Sequence, residues 1–346
     1  MSEKTLGAVM AMEIAETPKV FKRILTNISA FDPMDDFLAK NQISSILILA
    51  RGTSDNAAHF LKYLIETKLG LPCGLTSPSS VTIYDSKLHY KGVLVIALSQ
   101  SGQSPDLLAF ANSAKAAGAK LISLTNDFNS PLAKAADYHL DLQAGTELAV
   151  AATKSYSAQL LTAYLLVSIW AKFEIDGEEI IREAQSLVDR VVLVEAAVTA
   201  CQQEYESVVL GRGFAYSNAR EAALKIQETS KVSVQGLSTA DYLHGPISAL
   251  SPQTQVFILA PAHLPMASIS EAIIRIRAVT ERIIWVGNGG APLSKEIVIA
   301  GSNCRDEITA TIVDAISLQR FSLEFAKKAG LDPDAPVGLS KVTLTH

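Results

Sequence analysis

Ser44-Ser45-Ile46-Leu47-Ile48-Leu49-Ala50-Arg51-Gly52-Thr53-Ser54 is the stretch on which the fold turns. Its first seven residues, rich in Ile, Leu and Ser, have the length and content of a buried strand. Arg51-Gly52-Thr53-Ser54 then turns the chain into an amphipathic helix. The same grammar returns at Ser207-Val208-Val209-Leu210-Gly211, which leads into Arg212-Gly213 and a helical pattern over about Tyr216 to Thr229. Setting Arg51 on Arg212 defines an offset of 161 residues, and segments that did not define it obey it. Val95-Ile96-Ala97-Leu98 falls on Val256-Phe257-Ile258-Leu259, and Ile122 to Thr125 falls on Ile283 to Val286. Strands alternating with helices at this spacing are βαβ units of a parallel sheet, so the chain reads as one α/β sandwich made twice.

Two long helical patterns lie between the copies, Glu147 to Phe173 and Glu178 to Cys201, with Gly177 the expected hinge. Before the first copy, Met10 to Ile28 reads as one or two helices interrupted at Pro18. After the second, Asp306 to Ala329 reads as a helix, and the tail carries Pro333 and Pro336. The expected organisation is an N-terminal helical segment (1–30), a first domain (31–175), a second domain (176–330) and a tail (331–346).

Composition narrows the partners. The 346 residues are 49% hydrophobic and 19% charged, enough apolar material for two ordinary cores. A net charge of −5 and the lack of any Lys/Arg-rich run argue against nucleic acid. Cys73, Cys201 and Cys304 are far apart and outside any CxxC or Cys/His cluster, which fits a reducing compartment and no metal. The N-terminus carries Glu3, Glu13 and Glu16 rather than a basic-then-apolar leader, and the apolar run Leu160 to Ile169 is too short to span a bilayer. No membrane association and a cytoplasmic location are the expectations.

The loop Ser99-Gln100-Ser101-Gly102-Gln103-Ser104 follows the strand Val93 to Leu98 and precedes a helix opening at Pro105. In open α/β sheets, ligands sit beyond the carboxyl ends of the strands, at helix N-termini with free N–H groups. Three hydroxyls and exposed amides can surround a monoester phosphate without a lysine, and Gly102 lets the backbone come close. Turn and helix-cap chemistry alone remains the alternative for such a loop. A second loop, Gly52-Thr53-Ser54, ends the preceding strand in the same way and places Ser54 at another helix N-terminus. In the other copy the corresponding positions are Ala260, Ala262 and Pro265, so the hydroxyls are gone.

These residues resemble the sugar isomerase (SIS) domain proteins, in particular the double-SIS isomerase module of glucosamine-6-phosphate synthase and its stand-alone relatives. The resemblance runs nearly end to end. Met10, Glu13-Ile14, Glu16 and Pro18 resemble the module's leading helix. Arg51-Gly52-Thr53-Ser54 and Ser99-Gln100-Ser101-Gly102 with Ser104 resemble its sugar-phosphate loops, and Gly145, Glu147, Val150 and Thr153-Lys154 its next helix start. Gly211-Arg212-Gly213, Glu221, Ala223-Leu224-Lys225 and Glu228 resemble its catalytic helix, His244-Gly245-Pro246 its ring-opening loop, and Leu339, Lys341 and Thr343 its C-terminal tail. The fold this implies is two tandem SIS domains, each a parallel sheet flanked by helices in a flavodoxin-like αβα sandwich.

The resemblance implies roles. Glu228 is the base that carries a proton between C1 and C2 of the open-chain sugar. His244 opens the ring from the partner subunit, implying a homodimer with a shared active site. Lys341 lies near the carbonyl carbon, and Lys225 lies beside Glu228. Ser54, Ser99, Gln100, Ser101 and Ser104 take the phosphate. Gly52, Thr53, Glu147, Val150 and Ser340 contact the sugar. No cofactor or metal is implied. Each residue also has an ordinary alternative: Glu228 a solvated helix residue, Glu221 and Lys225 a surface pair four apart, His244 a turn histidine, Lys341 part of a disordered tail. The sequence departs from the synthase at Ala152, where a serine contacts the sugar, and at Ser340, where the synthase has alanine.

The synthase draws ammonia from an N-terminal glutaminase whose nucleophile is a cysteine after the initiator Met. Here Ser2 follows Met1 and the first helical pattern begins at once, so no glutaminase is expected. The expected reaction is therefore an isomerising deamination of glucosamine 6-phosphate to fructose 6-phosphate and ammonia. Alternatives are a deglycase of phosphorylated fructosamine–amino acids, a galactosamine-6-phosphate deaminase, simple isomerisation, and a non-catalytic sugar-phosphate sensor.

Overall fold

The structure is a computed structural model and describes residues 5–190, 192 and 194–341. The chain divides into two compact units. The first comprises Lys19–Glu147, Lys154–Gly177 and the chain from Ser340 onward. The second comprises the chain up to Pro18, Leu148–Thr153 and Glu178–Leu339. The division thus cuts the N-terminal helical segment at Pro18 and the tail after Leu339.

The first unit holds five parallel strands: β1 (Ser45–Leu49), β2 (Cys73–Leu75), β3 (Val93–Ser99), β4 (Lys120–Thr125) and β5 (Tyr138–Asp141), in the order β2-β1-β3-β4-β5. The second holds β6 (Ser207–Gly211), β7 (Val234–Ser238), β8 (Gln255–Leu259), β9 (Ile283–Val286) and β10 (Ile297–Ile299). Read from β7, their order β7-β6-β8-β9-β10 is that of the first sheet, and every pairing is parallel. The 161-residue offset carries Cys73–Leu75 onto 234–236, inside β7, a strand that did not enter its definition. The duplication is therefore one of topology as well as of sequence.

Central strands buried on both faces read as continuous apolar runs, as β3 and β8 do. Helices cover both faces, and in the second unit they create two apolar layers. One centres on Val209, Phe257, Phe321 and Phe325. The other centres on Val256, Ile258, Trp285 and Tyr242. Among the described residues no helix is long and apolar enough to cross a membrane.

Two helical expectations are corrected. The pattern from Glu147 to Phe173 becomes a helix only at Lys154–Ala171. The residues before it are held by carboxylates instead of by helical hydrogen bonds. Glu13, fully buried, accepts from the amides of Leu148 and Ala149. Glu147 accepts from the amide and hydroxyl of Ser155. The pattern from Glu178 to Cys201 breaks into Gly177–Asp189 and Glu195–Ala200. Arg320 donates to the carbonyls of Leu187 and Arg190, satisfying the end of the first helix from outside it. Near the N-terminus the chain forms two helices, Ala8–Ala15 and Thr17–Thr26, with Pro18 in the first turn of the second, where its missing N–H costs nothing.

Candidate active site

In the first unit, β3 ends at Ser99 and the helix Pro105–Ala116 begins six residues later, with Ser104 at its N-cap. The loop between is ordered by its own side chains. Ser99 Oγ accepts from the Gly102 amide at 3.0 Å, and Ser101 Oγ from the Gln103 amide at 3.3 Å. The backbone oxygens of Gln100 and Gly102 are taken by the amides of Asn126 and Leu132, which tie the loop to the turn after β4. Gly102 sits at φ +62°, and a Cβ there would collide with the Ser130 side chain. Turn chemistry is thus present for Ser99 and Ser101, each hydroxyl oxygen serving there as an acceptor. Ser104 makes no side-chain cap bond.

The neighbouring loop after β1 enters the helix Gly52–Leu64 directly. Gly52 takes φ +56°, with open space around the position of a Cβ, and is exposed like Arg51. Thr53 is half-buried. Ser54 is buried and its Oγ accepts from Gln159 Nε2 at 2.8 Å, so the outer loop residues, rather than Ser54, face solvent. Arg51 Nε meets the buried Asp106 carboxylate at 3.0 Å, joining the strand end of one loop to the first turn of the helix behind the other. Sequence reading missed this pair and Gln159, because no local spacing connects residues 55 or 105 positions apart.

Glu147 and Lys341 also meet in the first unit. Lys341 Nζ lies 2.8 Å from Glu147 Oε2, and the same carboxylate accepts from Ser155 twice. Burial is the largest influence on Glu147 and pushes its pKa up. The Lys341 charge and the hydrogen bonds of Lys341 and Ser155 outweigh it and hold the carboxyl below its ordinary value. Ser340 is exposed beside this pair in sequence. Thr343 lies outside the described residues.

In the second unit, the helix Ala215–Ser230 starts just past β6. Gly211 is required there, since a Cβ would overlap the Ala215 backbone. Along the helix Glu221, Lys225 and Glu228 share one side. Lys225 Nζ donates to Glu228 Oε2 and stands 3.5 Å from Glu221 Oε1. The Lys225 side chain is 2% exposed, that of Glu221 4% and that of Glu228 21%. The surface-pair alternative therefore fails: this is a buried lysine between two carboxylates, with Glu228 the member open to its surroundings. His244 is exposed, on the crossover that leads from β7 back to β8, and its amide donates to Asp241 O. Val150 is half-buried, its amide donating to Asp334 O, and Ala152 lies in the same short segment.

The second unit's crevice, where the hydroxyls were lost, is different in kind. Ala260 and Pro261 follow β8, and a small cavity there is lined by Leu259, Pro261, Val286 and Asp314. Asp314 is buried, with Oδ1 accepting from the Ser302 amide at 2.6 Å. Burial pushes its pKa up to about 7 against the lowering effect of Ser302, and the nearby Glu183 adds to the rise.

Residues 39–169 match the SIS domain family. A relative, the glutamine–fructose-6-phosphate aminotransferase (isomerizing) of Aquifex aeolicus, is 31% identical over 345 residues. The chain thus carries a SIS domain over residues 39–169. That alignment takes in 96% of this chain and 57% of the relative, so the SIS chain spans little more than half the length of the curated relatives it matches. Two solved structures share its fold nearly end to end. The tagatose-6-phosphate ketose/aldose isomerase of Escherichia coli superposes with a TM-score of 0.80 at 19% identity, covering 97% of this chain and 99% of that one. The glucosamine-6-phosphate deaminase of Thermotoga maritima gives 0.76 at 19% identity, covering 98% and 100%. One fold thus carries three differently named activities.

Proposed function

We propose that this SIS protein is an isomerising deaminase that converts glucosamine 6-phosphate to fructose 6-phosphate and ammonia. The observation that carries the reading is the helix Ala215–Ser230, on which a buried lysine holds the half-buried carboxylate of Glu228. A proton moved between adjacent carbons needs one carboxylate that can both accept and return it, and a fixed cation keeps that carboxylate in place. The hydroxyl-rich loop of the first unit supports phosphate recognition without a lysine, at the place where parallel sheets bind ligands.

In this reading His244 assists ring opening, and its exposure suits service to a second copy of the chain in a homodimer. Glu228 takes the C2 proton of the open-chain aldehyde and returns it to C1 while O1 gains a proton and the amine loses one, leaving a hydroxymethyl carbon at C1 and an imine at C2. Water adds to C2, the C–N bond breaks, and ammonia leaves. Within the first unit, the buried carboxylate of Glu147 holds the Lys341 amine, the group this reading assigns to the sugar's carbonyl carbon.

A coupled ammonia assay with glucosamine 6-phosphate tests this, run beside galactosamine 6-phosphate, a phosphorylated fructosamine–amino acid and tagatose 6-phosphate. Ammonia release with matching fructose 6-phosphate is expected from the first. Turnover of another substrate with none of glucosamine 6-phosphate would overturn the proposal.

A further inference from the structure

The second unit carries a cavity of about 230 Å³ that the proposed chemistry does not use. Ser207 opens β6, Ser233 precedes β7 and Thr254 precedes β8, and all three line it. The cavity therefore sits at the amino ends of the strands. The Gly211-Arg212-Gly213 loop and the start of the catalytic helix lie past the carboxyl end of β6, at the opposite edge of the same parallel sheet. Its outer wall is the crossover itself, through Tyr242, Pro246, Ala249 and Leu250, the segment in which His244 and Gly245 stand.

Its lining is built for hydroxyls. Tyr242 is 3% exposed, yet among the described residues its hydroxyl has no hydrogen-bond partner. Glu206, Ser233 and Gln235 also line the cavity, all three exposed at its rim. A tyrosine whose ring is buried and which reaches the wall of an open cavity offers its hydroxyl to whatever enters. Neither lysine nor arginine lines the space, and Glu206 supplies a carboxylate at the rim, which repels an anion and suits an ammonium. The volume is below the roughly 300 Å³ at which drug-sized pockets begin and suits a single sugar ring.

We infer that this cavity binds an unphosphorylated amino monosaccharide, its hydroxyls on Tyr242, Ser233 and Gln235 and its ammonium on Glu206, and that occupancy shifts the His244 segment. Gly245 gives that segment a pivot: its φ of +150° is open to glycine, and a Cβ there would meet no atom within 4 Å. The coupling to His244 rests on the ring-opening role proposed above; the binding site does not.

Isothermal titration of the full chain with glucosamine, in ammonia-free buffer with saturating fructose 6-phosphate, tests the site. One-site binding is expected, about tenfold weaker in Tyr242→Phe and in Glu206→Gln. It should vanish in Ala249→Trp, a change on an exposed wall that fills the space. Absence of binding, binding unchanged in all three variants, or glucose bound as tightly as glucosamine would overturn the assignment. Binding without deaminase activity would reject the proposed reaction and keep the site. A change of turnover on glucosamine addition that is lost in Ala249→Trp supports the coupling, and turnover unaffected by bound glucosamine refutes it.

Discussion

Lys341 and Glu147 lie 194 residues apart in sequence and 2.8 Å apart in the structure. The carboxylate is buried and the amine partly open. Because Glu147 is held below its ordinary value of 4.5, its contribution to stability is fully present above that pH and is lost as the pH falls through the depressed value. Removing the lysine removes the chief lowering influence and leaves burial unopposed except by Ser155. Lys341→Met is expected to unfold at higher pH than wild type in an acid titration followed by near-ultraviolet circular dichroism. Coincident curves would contradict the pairing.

Asp314 has the opposite sign. Its folded pKa of about 7 lies above the ordinary 3.8, so the folded protein holds a proton that the unfolded chain releases between those values. Stability from this group is greatest below the lower value and declines as pH rises toward 7. Asp314→Asn should flatten the fall in urea midpoint across that range. Glu307, also pushed up to about 7 by burial, leaves a residual slope.

Glu228→Gln separates catalysis from folding. With the carboxylate gone, turnover should fall by about 10²–10⁴-fold. Lys225 retains Glu221, so the melting temperature should move little. Activity within a few-fold of wild type would remove Glu228 from the proposed role.

Ser99→Ala should raise KM for the phosphorylated sugar by about ten- to a hundredfold, since a hydrogen bond to a charged oxygen is worth about 1.5–3 kcal/mol. It should leave KM for an unphosphorylated analogue unchanged. Gly102→Ala combines a positive φ with a collision against Ser130 and should cost more than about 1 kcal/mol in chemical denaturation. A neutral result would mean the loop relaxes more freely than its packing implies.

The central strands, their duplication and the hydroxyl loop were legible because each shows in a short stretch: β3 is an unbroken apolar run, and Gly102 stands between serines a few residues apart. The division at Pro18 and after Leu339 was not, since it depends on which surface a segment packs against. The helix start at Lys154 instead of Glu147 was hidden for a similar reason. Glu13 takes the amides of Leu148 and Ala149 from 135 residues away, and no local propensity records that. The burial of Lys225 was equally invisible. A Glu and a Lys four apart look the same on a solvated face and in a core, and only packing distinguishes them.

Ser99 and Ser101 already hold the Gly102 and Gln103 amides, and the loop's carbonyls are already bonded to the turn after β4. The backbone there is fixed when the protein folds, so under the proposed role a phosphate arriving from solution would have little loop entropy left to freeze. Affinity at such a preorganised cradle depends on how well its donors point, and mutations that loosen the cradle should weaken capture even where every hydroxyl is kept.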